Sequence, residues 1–236
     1  MKIRIKFTKQ GPMKFIGHLD VMRYFQKVMR RAEVDIRYSE GFSPHQIMSF
    51  AAPLGVGLTS NGEYMDIEVL STMNSKTMIE RLNQVMVEGT EILSYRLLDD
   101  SDKNAMSIVA AADYLLTFRE NYKPRDLDGF FKEFLEFCNR PQILITKETK
   151  KGTRELDLKP LIYQAQRQGE SVFLQVCTGS RDNIKPELVM EAFYRSRGEV
   201  YPPFAMRIER EEVYADLGEE GSRRLVALEN LGQDIE

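Results

Sequence analysis

The polar–apolar pattern changes its period several times along the chain, and those changes mark the elements. Ile3, Ile5 and Phe7 alternate with Lys2, Arg4 and Lys6, the two-residue period of a strand with one buried face, and Gly11-Pro12 stops it. From about 18 to 33, Val21, Met22, Phe25, Val28, Met29 and Ala32 recur at helical spacing and predict an amphipathic helix. The loop Tyr38-Ser39-Glu40-Gly41-Phe42-Ser43-Pro44 leads into a strand over 46–51. Gly55, Gly57, Asn61 and Gly62 read as a turn into a strand over 64–70, where Met65, Ile67 and Val69 alternate with Asp66 and Glu68. A helix over 75–87, with Ser75 as its cap, and a strand over 91–98 complete a β-α-β-β-α-β order.

Asp99-Asp100-Ser101-Asp102-Lys103-Asn104 is a polar break and the linker candidate. Beyond it the pattern predicts strands over 107–118 and 141–147 around a helix over 125–138, then a short helix over 159–168. A strand over 171–178, a helix over 186–197 and a strand over 204–213 follow. The expected architecture is α+β: two tandem ferredoxin-like (split β-α-β) units with antiparallel sheets, 1–100 and 105–215, then an acidic tail, 216–236.

Composition narrows the chemistry by exclusion. With 42% hydrophobic and 29% charged residues over 236 positions, the chain has the balance of a soluble protein. It carries no apolar run approaching the ~20 residues of a membrane helix. Two cysteines, Cys138 and Cys177, are too few for a disulfide scaffold, a four-thiolate zinc site or a self-contained iron–sulfur cluster, and they fit a cytoplasmic setting. Phosphate-binding loops, nucleophile elbows, zinc-protease helices and dinucleotide fingerprints are all missing, so no cofactor and no metal is implied.

Charge adds the positive signal. The net charge is −3, yet residues 1–50 hold ten basic and four acidic residues, while 209–236 hold nine acids and three arginines. Such a bipolar chain suits an anionic partner at one end. Arg23, Lys27, Arg30 and Arg31 fall at i, i+4, i+7 and i+8, sharing the helix face opposite the apolar stripe. Lys2, Arg4 and Lys6 would add a second basic row on an open sheet face, a face that several RNA-binding modules use. Tyr64, Asp66 and Glu68 make a poor stacking platform there, which argues against a standard RNA-recognition motif. Both histidines lie in this half: His18 at the helix start and His45 after the Gly/Pro loop. The expected RNA or anion contacts are Lys14, His18, Arg23, Lys27, Arg30, Arg31, Tyr38, Phe42 and His45, with Lys150, Lys151 and Arg154 as a second contact. No catalytic residue is assigned; His45 is the candidate general base of an alternative, metal-independent ribonuclease.

Phe15-Ile16-Gly17-His18-Leu19-Asp20, Arg30-Arg31-Ala32, Tyr38 to His45 and Ser49-Phe50-Ala51 resemble the uncharacterised bacterial radical-SAM-linked domain family. Gly62-Glu63-Tyr64-Met65-Asp66-Ile67 and the run Lys151 to Pro160 continue the likeness, which extends to about residue 213. Members stand alone or are fused behind a cobalamin-binding radical SAM enzyme. The resemblance therefore implies a radical SAM partner and work on RNA, with no reaction assigned. Radical chemistry would belong to that separate partner, since this chain lacks a cluster-binding cysteine motif. The tandem architecture is also similar to that of the repeat-RNA-processing endonucleases of CRISPR systems. The expectation is a non-catalytic RNA-binding or accessory protein, without DNA preference and without a membrane. A protein–protein scaffold lacking RNA affinity is the remaining alternative.

Overall fold

The computed structural model describes residues 1–149, 152–179, 182–219 and 221–236. The first strand, β1 (Lys2–Lys9), lies between β3 (Thr59–Glu68) and β4 (Ile92–Leu98), antiparallel to both. Its apolar face carries Ile3, Ile5 and Phe7, each buried. Helix α1 (His18–Arg31) covers that face because Val21, Phe25, Val28 and Met29 form one stripe. Phe25 meets the Phe7 ring at 4.6 Å, and Phe50 closes the cluster from β2 (Met48–Phe50), which pairs with the end of β3. Helix α2 (Ser75–Asn83) adds Met78 and Leu82 to the same core. Its cap is Asn74, whose side chain accepts from the Thr77 amide, and not the expected Ser75, whose hydroxyl instead donates to the Tyr95 carbonyl. The strand order so far is β4-β1-β3-β2. One helical turn, α3 (Ala105–Ile108), follows directly after the segment that reads as a linker, capped by its last residue, Asn104.

Strand β5 (Val109–Phe118) and helix α4 (Leu127–Cys138) fall where the pattern puts them. The next stretch differs. The hairpin β6 (Leu144–Thr149) and β7 (Gly152–Asp157) forms its own two-stranded sheet. The expected short helix over 159–168 is a single 3-10 turn, Lys159–Leu161, leading into β8 (Ile162–Gln168). β8 pairs with β9 (Ser171–Cys177), which pairs with β5, all antiparallel. Leu161, Ile162 and Ala165 mimic helical spacing, but pairing with β9 decides the backbone. Helix α5 (Pro186–Ser196) packs Phe193 among Phe130, Phe134 and Phe137, with centroids 5.2–5.5 Å apart.

The chain then returns through β10 (Met206–Asp216) and β11 (Leu225–Ala227) to a 3-10 turn, Leu228–Leu231. Two compact units result: unit 1 is residues 1–110 with 210–236, and unit 2 is 111–209. The segment expected as an acidic tail is thus folded into unit 1. Ile235 packs on its core, the Ile235 amide donates to Ser75 Oγ, and Asp234 pairs with Arg96. Among the described residues, no helix is long and apolar enough to cross a membrane.

Candidate nucleic-acid interface

The expected second basic row is not a surface. In the register of β1 and β3, Arg4 stands opposite Asp66, and a cross-strand pair of opposite charge closes on itself. Arg4 Nε and Nη2 donate to the two Asp66 oxygens at 2.8 and 2.9 Å, leaving Arg4 only 1% exposed. Lys6 donates to Glu212 at 2.6 Å and Glu229 at 2.7 Å, both brought by the returning segment. Burial works against the Lys6 ammonium, yet the two carboxylates outweigh it and hold its pKa above the ordinary lysine value. Tyr64 donates to Glu212 at 2.6 Å; burial and that carboxylate raise its hydroxyl pKa. Lys2 donates to the Asp100 and Asp102 carbonyls. The Arg4 and Lys6 charges hold unit 1 together and offer no open basic face.

The basic stripe of α1 is different. Arg23, Lys27, Arg30 and Arg31 are all exposed, and the one ion pair they make among the described residues, Arg23 with Asp20 at 3.2 Å, has both side chains mostly in water. At 100° per residue, Arg23 and Arg30 lie toward the Gln26 flank of the helix, while Lys27 and Arg31 turn toward Tyr24. There burial raises the Tyr24 hydroxyl pKa against the Val87 amide and the Arg31 charge. The 38–45 loop sits on the Gln26 flank. Gln46 Nε2 donates to the Gln26 carbonyl at 3.3 Å and to the Tyr38 hydroxyl at 3.5 Å, which ties the loop to the helix beside Arg23 and Arg30. Within the loop, the Ser39 amide donates to the His45 carbonyl, and Ser39 Oγ lies 2.8 Å from His45 Nδ1. Gly41 has φ +108°, open to glycine, and the turn it makes leaves Phe42 wholly exposed and Tyr38 nearly half exposed.

Two further exposed apolar residues, Phe15 and Leu19, precede the stripe and are not among the contacts that the sequence predicts. Leu19 lies off the apolar stripe of α1, which is the signal that would have found it. Lys14 lies over the Phe15 ring at 5.1 Å, and its carbonyl accepts from the Gly57 amide. Lys150 and Lys151 lie outside the described residues, as does the side chain of Arg154.

The two histidines take different places. His18 packs edge-on against Phe50 at 5.3 Å. His45 lines a pocket of about 320 Å³ with Lys2, Ser49, Asp66, Glu68 and Lys103, and His18 is not part of that lining. An acid–base pair must converge on one phosphate within a few ångströms, and these rings serve separate surroundings.

Comparison with curated proteins gives no match. Residues 2–186 match the model of DUF2344, described as an uncharacterised protein conserved in bacteria. The chain belongs to that family.

Proposed function

We propose that this is a cytoplasmic, non-catalytic RNA-binding accessory protein, built from two ferredoxin-like units, that works with a radical SAM enzyme acting on RNA. One observation carries the reading: of the exposed cations on α1, Arg23 and Arg30, with Lys27 next to them on the same face, border a loop that presents Tyr38 and Phe42 to solvent. Cations aligned along a helix suit phosphates, and exposed rings beside them suit the faces of unpaired bases. The β4-β1-β3-β2 strand order and two covering helices support the ferredoxin-like reading of unit 1. In unit 2, β5, β9 and β8 with α4 and α5 support the same reading, with β6–β7 inserted.

The test is fluorescence anisotropy with a labelled single-stranded RNA across a salt series. Each phosphate contact contributes about −0.7 to the slope of log K against log salt for single strands. Replacing Arg23, Lys27 and Arg30 with Glu should abolish binding with the fold intact, and Phe42→Ala should weaken it with the salt slope unchanged. Unaltered affinity in the triple variant overturns the proposal. The exposed Phe15, Leu19 and Phe42 favour a second reading, in which the same surface docks a protein; that reading predicts no RNA affinity and a stable complex with the radical SAM partner.

A further inference from the structure

We propose that the pocket beside His45 is a binding site for a small organic anion, a phosphate monoester or carboxylate on an apolar body. The pocket lies within unit 1, among the start of β1, the strand β2 with the residues before it, the ends of β3 and β4, and the turn before α3. Its volume, about 320 Å³, falls at the small end of the ~300–1,000 Å³ of small-molecule sites.

The charges around it are unequally satisfied. Both oxygens of Asp66 are engaged by Arg4, and Oδ2 also accepts from the Ala105 amide at 2.7 Å. Glu68 pairs with Arg37 at 3.2 Å. Asp102 has no cationic partner among the described residues, and one of its oxygens accepts from the Asp99 amide at 2.9 Å. The cationic members have no such counter-charges. The Lys2 ammonium donates only to main-chain carbonyls, which are neutral, and the Lys103 side chain makes no hydrogen bond or ion pair among the described residues. With the two arginine-bound carboxylates cancelled, the lining residues Lys2 and Lys103 against Asp102 leave the pocket an excess of positive charge. His45 is held through Nδ1 by Ser39, which leaves Nε2 for a ligand. Ser49 contributes a hydroxyl already accepting from Asn104, so its own proton remains to donate. Ile47 and Leu98 supply apolar wall, which is why the ligand is an anion with a body and not a bare ion.

The chain has two histidines, of which only His45 lines the pocket, so their imidazole signals in ¹H–¹³C NMR give a probe and an internal control. Titration with AMP or with benzoate should shift the His45 signals saturably and leave His18 in place. A response to AMP alone assigns the head group to phosphate, and a response to benzoate alone assigns it to carboxylate. Lys103→Gln, at an exposed side chain, should weaken the binding at least tenfold. The Arg23/Lys27/Arg30 to Glu variant should leave it unchanged, which separates this site from the RNA surface of α1. Neutral adenosine shifting His45 as strongly as AMP would overturn the proposal. So would inorganic phosphate binding as tightly as both anions, an unchanged affinity in Lys103→Gln, or no His45 response to either anion.

Discussion

Asp66→Ala tests how the charged face of β1 is held. The substitution removes both acceptors of Arg4, whose side chain is 1% exposed, and leaves the buried Ala105 amide without its 2.7 Å partner. The remaining Arg4 contacts, the Leu228 carbonyl at 3.3 Å and the Lys103 carbonyl at 3.4 Å, are too long to compensate. Removing one partner of a buried ion pair costs about 3–5 kcal/mol, because the other charge stays desolvated. The orphaned amide contributes in the same direction, but the two effects share one site and do not add. An expected loss of about 4 kcal/mol lowers the folded-to-unfolded ratio of unit 1 roughly a thousandfold. Asp20→Ala is the matched control: it removes an ion pair whose side chains are 69% and 65% exposed, and should cost under about 1 kcal/mol. Arg4→Met combined with Asp66→Leu should recover most of the stability, since apolar side chains of similar volume replace buried pairs at little cost. Urea unfolding measures all four proteins. A loss below about 1 kcal/mol in Asp66→Ala, or a double variant no more stable than the single one, would refute the reasoning.

Three other outcomes follow from the same geometry. Gly62→Ala would bring a Cβ to 2.6 Å from the Glu211 carbonyl oxygen and 2.9 Å from the Glu212 Cα, both main chain, so thermal unfolding should show a loss of about 1–3 kcal/mol. Lys6 has its folded pKa raised above 10.5, so its stabilisation is fully present below that value and disappears as pH rises through the folded pKa; stability against pH above 10.5 should fall more steeply for the parent than for Lys6→Met. Cys138 is buried and its thiol is pushed up to about 12, so a disulfide reagent at pH 8 should leave it unmodified in the folded protein and react once urea unfolds the chain.

Much of the local structure is legible because amphipathic period is a property of neighbouring residues. The stripe Val21, Phe25, Val28, Met29 fixes both the existence of α1 and which of its faces stays wet, so Arg23, Lys27 and Arg30 are found as exposed cations without a structure. The loop holding Tyr38, Phe42 and His45 is equally readable from its Gly, Ser and Pro residues. What the pattern does not reveal is that this loop leans on the Gln26 flank of α1, on the side of Arg23 and Arg30 and away from Lys27 and Arg31. That contact joins residues 20 apart through one side-chain amide.

The sequence alone determined that β1 alternates, with Ile3, Ile5 and Phe7 on one side and Lys2, Arg4 and Lys6 on the other. Only the tertiary structure decided that the polar side is covered. The partners that neutralise Arg4 and Lys6 come from 62, 206 and 223 residues away, and no local period records an ion pair at such a distance. The same holds for residues 162–168, where apolar spacing permits helix or strand and the edge of β9 selects strand. It holds again for the C-terminal acids, which read as a solvated tail until Glu229 meets Lys6 and Asp234 meets Arg96. Local sequence sets what each segment can form and which face it buries. Which charges remain for a partner depends on what the fold brings against them.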